Sequence, residues 1–292
     1  MPKKTTTDEP IVCLPKRLPQ GLWIAAAQTA SNINPLNHPP INRLMLVEKG
    51  FAPNKQSIAV MTTKYWGNKG VKLTVGFLDN PSSELRKRIL EHMNAWNKTA
   101  NVQFVQTTTD PQVRIARLPG DGHWSYLGTD VLSIKKNEAT MNLDSFTINT
   151  PESEYRRVVR HETGHTLGCP HEHMRRALVN LIDPAKAIAF FGATQGWDPE
   201  MVKRQVLTPL EDSSLIGTMT SDSNSIMCYQ LPGSITKNGK PIVGGTNIDK
   251  SDSTFMGMIY PKPSASKTTS KKAGKKTSKK TTAKKGKASR KR

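Results

Sequence analysis

Residues 161–173 read HETGHTLGCPHEH, and no other stretch restricts the fold as tightly. His161 and His165 are four residues apart, so on an α-helix they project from one face. Two imidazoles so placed can share a metal ion at the Zn–N distance of about 2.0–2.1 Å. His171 lies ten residues beyond His161, about 15 Å further along an unbroken helix at 1.5 Å per residue. At that distance it cannot reach the same ion, so the helix must end and the chain must turn back. Gly168 supplies the stop, because glycine accepts the left-handed conformation that closes a helix. Pro170 then disfavours helical geometry at Cys169 and prevents continuation. The expectation is a helix through His165, a left-handed turn at Gly168, and His171 returned to the metal.

Three histidines leave one zinc coordination position open, the arrangement of a catalytic site rather than a structural one. Glu162 points about 100° around the helix from His161. That direction suits a general base beside the metal, taking a proton from zinc-acidified water as a carbonyl is attacked, and does not suit a ligand. A solvated charged helix would match these five positions within eleven residues only by coincidence.

A second string, SIMCY at residues 225–229, is weak alone, because a Met and a Tyr in a loop usually fill a core. After H-E-x-x-H-x-x-G-x-x-H, the metzincin signature, it resembles the Met-turn of the astacin branch. Residues 122–128 (GHWSYLG) are similar to the astacin edge strand that pairs with the substrate backbone. Residues 247–260 (NIDKSDSTFMGMIY) are similar to the closing helix of that family. The resemblance covers roughly residues 57–260. It implies an α+β fold: a twisted, mostly parallel sheet with two long helices over a smaller irregular C-terminal subdomain, the active-site cleft between them. It further implies a zinc-dependent endopeptidase acting on a peptide or protein substrate. One catalytic zinc would be bound by His161, His165 and His171, with Glu162 as general base. Met227 would form the floor beneath the metal. Tyr229 would be a fifth zinc ligand at rest and a hydrogen-bond donor to the oxyanion in the transition state.

The chain also departs from that family. His123 stands where astacins commonly carry a disulfide-bonded cysteine, so that bond cannot form. Astacins use the glutamate after the third histidine, here Glu172, to hold an N-terminus freed by propeptide removal, and residues 1–56 contain no evident processing site. Cys13, in PIVCLPKRLP, is similar to the cysteine switch of matrix metalloproteinases, in which a thiolate fills the open zinc position. The alternative is a free cysteine in an N-terminal arm. Cys169 and Cys228 flank site residues and read as small core residues, His173 as a surface residue or one behind the ligands, and His38 and His92 carry no signal.

Periodicity supplies the rest. Strands are expected over 58–62, 71–78, 102–107 and 112–118, and an edge strand over 123–134. An amphipathic helix is expected over 83–100, with Leu85, Ile89, Met93 and Trp96 inward. Pro151 and Glu152 open the helix that carries the first two histidines. Asp183-Pro184 and Asp198-Pro199 each place an N-cap before an N1 proline. A last helix is expected over 251–260, and a short one around 21–31.

Charge divides the chain. Of the net +20 over 292 residues, residues 261–292 hold 14 Lys/Arg and no acids, which leaves 29 Lys/Arg against 23 acids over 1–260, a net of +6. Such a tail buries too little apolar surface to fold and is expected to be disordered. The expected division is an N-terminal extension (1–56), a zinc peptidase domain (57–260) and the Lys-rich tail (261–292). The tail implies non-specific affinity for nucleic acid or other polyanions, although it lacks aromatics for stacking. The rival reading is accordingly a polyanion-binding protein acting through the tail, with a vestigial or regulatory zinc domain. No transmembrane span or signal peptide is evident, the longest N-terminal apolar run being six residues, 22–27. Three cysteines form no disulfide framework. These features favour a cytoplasmic compartment, with leaderless export the alternative, and a monomer.

Overall fold

Alternation in VKLTVGF builds β2 (Val71–Phe77), which buries Val71, Leu73 and Val75 and exposes Lys72. The computed structural model of this chain describes residue 13 and residues 16–38, 59–61, 63–211, 215–217 and 221–263. The chain divides into two units, Met1–Lys262 and Pro263–Arg292, and every element described here belongs to the first. The tail's expected disorder lies outside the described residues.

Five strands form the main sheet. β2 pairs in parallel with β3 (Val102–Gln106) on one side and β4 (Val113–Ala116) on the other. β4 pairs in parallel with β6 (Met141–Asn142), and β6 pairs antiparallel with β5 (Trp124–Ser125) at the edge. The order is β3-β2-β4-β6-β5. A sheet that is mostly parallel needs helical crossovers, and helix Ser83–Met93 links β2 to β3. Ser82 caps it by accepting from the Leu85 N–H at 3.3 Å. Leu85, Ile89, Met93 and Trp96 are all buried, as their spacing requires, although the last turn tightens into a 3-10 helix, Asn94–Lys98.

The expected strand over 58–62 is β1 (Ala59–Met61). It pairs antiparallel with β7 (Leu215–Gly217), apart from the main sheet. The expected edge strand over 123–134 needs correction, for the paired strand ends at Ser125, extended backbone runs only to Leu127, and residues Gly128–Ser133 form a 3-10 helix. Contacts distant in sequence override the local pattern there. The Thr129 N–H donates to the Lys64 carbonyl at 3.2 Å, and Asp130, buried, pairs with the Lys64 ammonium. Helix Trp23–Ile33, close to expectation, packs on this 3-10 turn.

Among the described residues three hydrophobic clusters result, the smallest joining Leu18, Ala26 and Ile134 where the N-terminal helix packs. The first lies between the sheet and its helices, joining Leu73, Ile89, Trp96, Ile115, Met141 and Phe255. The second, smaller, belongs to the C-terminal half and joins Ile182, Phe191, Val206, Tyr229 and Ile242, with Cys13 from the N-terminal segment. Helix Pro184–Gln195 frames it, its N-cap Asp183 accepting from the Ala185 and Lys186 N–H groups, both at 3.1 Å. Helix Lys250–Ile259 closes the domain with a capping box between Asp249 and Asp252. Among the described residues no helix is long and apolar enough to cross a membrane. All three cysteines are free and buried.

Candidate metal centre

The helix that carries the histidines begins with one turn, Glu152–Glu154, widens into a π-helical segment, Tyr155–Val159, and returns to α geometry over Arg160–Thr166. It ends where the spacing requires. Gly168 has φ 96°, the Cys169 N–H donates to the Gly164 carbonyl at 2.9 Å and the Gly168 N–H to the His165 carbonyl at 2.8 Å. The freed Leu167 carbonyl accepts from the Tyr260 hydroxyl at 2.6 Å. The chain then returns, and His171 meets the other two histidines.

The Nε2 atoms of His161 and His165 lie 3.2 and 3.1 Å from that of His171. His161 Nδ1 pairs with the Ile226 carbonyl at 2.6 Å and His165 Nδ1 with the Cys169 carbonyl at 2.7 Å. Carbonyls only accept, so each Nδ1 carries the proton and each Nε2 keeps its lone pair for the centre. His171 Nδ1 is buried without a hydrogen bond. Burial lowers the pKa of all three, of His165 to about 4, and so holds them neutral, the form that binds metal. The sulfur of Cys13 joins them: the ligand atoms of Cys13, His161, His165 and His171 all lie within 4.8 Å of one another. Three imidazoles and a thiol form a donor set suited to one zinc ion. The residues fit it.

Glu162 is buried at the same centre, and the Cys13 thiol donates to its Oε2 at 3.3 Å. Burial raises its pKa to about 8, against the opposing pull of that hydrogen bond and of the nearby Arg157 guanidinium. The same burial, with Glu162 beside it, raises the Cys13 thiol well above its usual range. Arg157 is turned to Glu154, Nη2 to Oε2 at 2.5 Å, and lines a pocket beside Cys13 with His123, Val158, Tyr229 and Gly245.

Met227 and Tyr229 arrive on the expected turn. An ideal Cβ on Gly164 would lie 2.4 Å from the Met227 sulfur, so the thioether packs on the bare backbone of the histidine helix. The Tyr229 hydroxyl donates to the Cys13 carbonyl, and its ring lies 4.3 Å from that of His171 and stacks on His173 at 3.9 Å. His173 is therefore not at the surface. It is fully buried behind the ligands, with Nε2 2.9 Å from the Gln205 carbonyl. Glu172 is buried too and accepts from the Asp222 N–H at 3.2 Å. His92, without a signal in its sequence neighbours, is buried with Nε2 3.3 Å from Glu152.

Sequence reasoning misses the support of the Met-turn. Asp252, on the closing helix, accepts from the Ser225 hydroxyl at 2.7 Å and the Ile226 N–H at 3.0 Å. It thereby fixes the carbonyl of Ile226 that orients His161. The available signal is the acidic pair in NIDKSD, which also reads as a simple capping box. Of the two readings of Cys13, the structure brings its thiol to the histidines, as in a cysteine switch, rather than leaving it free in an arm. Backbone bridges run from Cys13 to His123 and from Lys16 to Tyr126, both parallel, and the Lys16 N–H donates to the Ser125 carbonyl at 3.3 Å. Cys13 and Lys16 therefore lie along the edge of the sheet at β5.

The chain is similar to known proteins. Residues 59–257, more than half of the chain, match the astacin family of peptidases. Zinc metalloproteinase nas-27 of Caenorhabditis elegans is 32% identical over 97 residues, a match spanning 33% of this chain and 20% of that protein. Two structures of myroilysin are each 30% identical to this chain. One has a TM-score of 0.66, over 70% of this chain and 99% of that one, and the other a TM-score of 0.53, over 68% and 87%. With its histidine cluster, its Met-turn and these matches, the chain belongs to the astacin family.

Proposed function

We propose that this protein is a zinc-dependent endopeptidase, acting as a monomer on peptide or protein substrates, and that the conformation described is its latent form. The observation that carries the first part is the convergence of three neutral imidazoles beside a buried carboxyl group. His161, His165 and His171 would hold a zinc ion, which would supply Lewis acidity to a carbonyl and acidify water. Glu162, projecting beside that centre, takes the proton from water and later returns it to the departing amine. Its raised pKa suits a group that must both accept and donate near neutral pH. The free edge of β5 offers backbone hydrogen bonds to an extended peptide. The Tyr229 hydroxyl, once free of Cys13, can ligate the ion at rest and donate to the oxyanion in the transition state.

Three contacts support latency. The Cys13 sulfur stands among the metal-binding groups, the Cys13 carbonyl holds the Tyr229 hydroxyl, and the Lys16 backbone covers β5. Each removes one part of the machinery.

The test is Glu162→Gln in the zinc-loaded chain. It should keep about one zinc per chain and lose about 10²–10⁴-fold in peptide hydrolysis. Activity equal to the parent would remove Glu162 from the mechanism.

A further inference from the structure

Lys16 follows Cys13 by three residues, and its side chain rests on a platform formed by a tight loop. In PGDGHW, residues 119–124, the N–H groups of Gly120 and Gly122 both donate to Asp144 Oδ2 at 2.9 Å. The loop so pinned presents Asp121 at the start of β5. Asp121 Oδ2 accepts from Trp124 Nε1 at 2.8 Å, which fixes the plane of the indole. Tyr126 meets that ring edge-on, with centroids 6.0 Å apart at 86°. The other carboxylate oxygen, Oδ1, lies 3.8 Å from Lys16 Nζ, and that same ammonium stands 4.6 Å from the centroid of the Trp124 ring.

A cation on an indole face with a carboxylate at its rim is a preformed site for a basic side chain, since the ring quadrupole and the carboxylate attract the same charge. A neutral side chain gains only the ring face, and a glutamate meets Asp121. The Lys16 and Asp121 side chains are 40% and 42% exposed, so the ion pair alone would contribute little. What distinguishes the place is that one carboxylate both orients the indole and faces the cation.

We propose that Asp121 and Trp124 form a subsite for a lysine or arginine side chain of the bound peptide, the place that Lys16 fills in the latent chain. The proposal rests on the endopeptidase function for the identity of the occupant. Cys13 stands at the metal-binding centre, and Lys16 follows it by three positions. A peptide in the same groove therefore places its basic residue two or three positions from the bond attacked.

The test uses the full-length chain carrying Cys13→Ser and Lys16→Gln, which removes the two side chains that seat the segment. Peptides with one non-hydrolysable bond, carrying lysine, arginine, glutamine or glutamate at each of the three positions on either side of it, are titrated by calorimetry. Cleavable counterparts are assayed alongside. At one position lysine and arginine should bind about tenfold more tightly than glutamine, with glutamate weakest. Adding Asp121→Asn should shrink the lysine advantage to about threefold, and adding Asp121→Lys should reverse it in favour of glutamate. Equal binding of lysine and glutamine peptides at every position overturns the subsite, even if all are cleaved. A lysine advantage that Asp121→Asn erodes, without cleavage of any peptide, supports the subsite and overturns the endopeptidase function instead.

Discussion

The sulfur of Met227 occupies the space that a side chain on Gly164 would take, 2.4 Å from the ideal Cβ position, while Trp96 closes the other side at 3.5 Å. The glycine between the first two histidines is thus where the Met-turn fits against the metal helix. Gly164→Ala forces the thioether aside in a packed core and should destabilise the fold by about 1–3 kcal/mol. Met227→Ala alone should cost about 2–5 kcal/mol. The two changes should cost less together than the sum of their separate effects, because the smaller side chain makes room for the new methyl. Denaturant unfolding of both single variants and the double variant measures this; strict additivity would mean that the two residues do not share the space.

Latency has a direct consequence for Cys13. Removing its thiol frees Glu162 and the fourth position among the histidines, so zinc-loaded Cys13→Ala should cleave peptides at least about tenfold faster than the parent chain. In that background Tyr229→Phe should retain zinc and lower kcat by about 10²-fold with little change in KM, because its hydrogen bond strengthens only in the transition state. Steady-state kinetics with metal analysis check both. An unchanged rate in Cys13→Ala would mean that the segment does not restrain the site.

Asp252 sets a pH dependence. Burial outweighs the hydrogen bonds donated to its carboxylate and raises its pKa to about 6. A carboxyl group raised in the folded state contributes stability that is complete below its unfolded value, near pH 4, and is lost as pH rises through 6. Asp252→Asn does not titrate. Its penalty relative to the parent should therefore shrink by about 2 kcal/mol between pH 4 and pH 7. Unfolding curves across that range decide the matter, and a penalty that grows with pH would show that the hydrogen bonds to the Ser225, Ile226 and Asp249 donors dominate instead.

The tail carries 14 Lys/Arg and no acids against a body of net +6. Truncation after Pro261 should abolish polyanion binding and leave peptide hydrolysis intact. Binding of the full chain to duplex DNA should weaken steeply with salt, by about 0.9 in log–log slope for each phosphate neutralised. A salt titration of both forms tests this, and equal DNA binding would move the site to the folded body.

The metal centre is legible in the sequence because its logic is local. The period of one helix aligns His161 with His165, and a single left-handed glycine returns His171, so thirteen residues determine the cluster. The caps at Asp183 and Asp198 are legible for the same reason. What escapes depends on partners distant in the chain. Lys64 turns residues 128–133 away from the strand that their composition favours. His173 is buried because Tyr229 folds over it, and Asp252 reaches the Met-turn from another helix. The approach of Cys13 to Glu162 joins residues 149 apart, which no periodicity encodes.

The support that Asp252 gives to the Met-turn also orders events during synthesis. A nascent chain that has left the ribosome as far as His171 already carries every imidazole of the centre, but not the thioether beneath them or the carboxylate that anchors the turn. The thioether follows with the Met-turn and the carboxylate only when the closing helix emerges, so the centre is completed late in translation of the folded body. Cys13, which precedes all of them in the chain, is by then already at hand. On the latent reading proposed above, the histidine cluster is completed with the thiol that fills it already made.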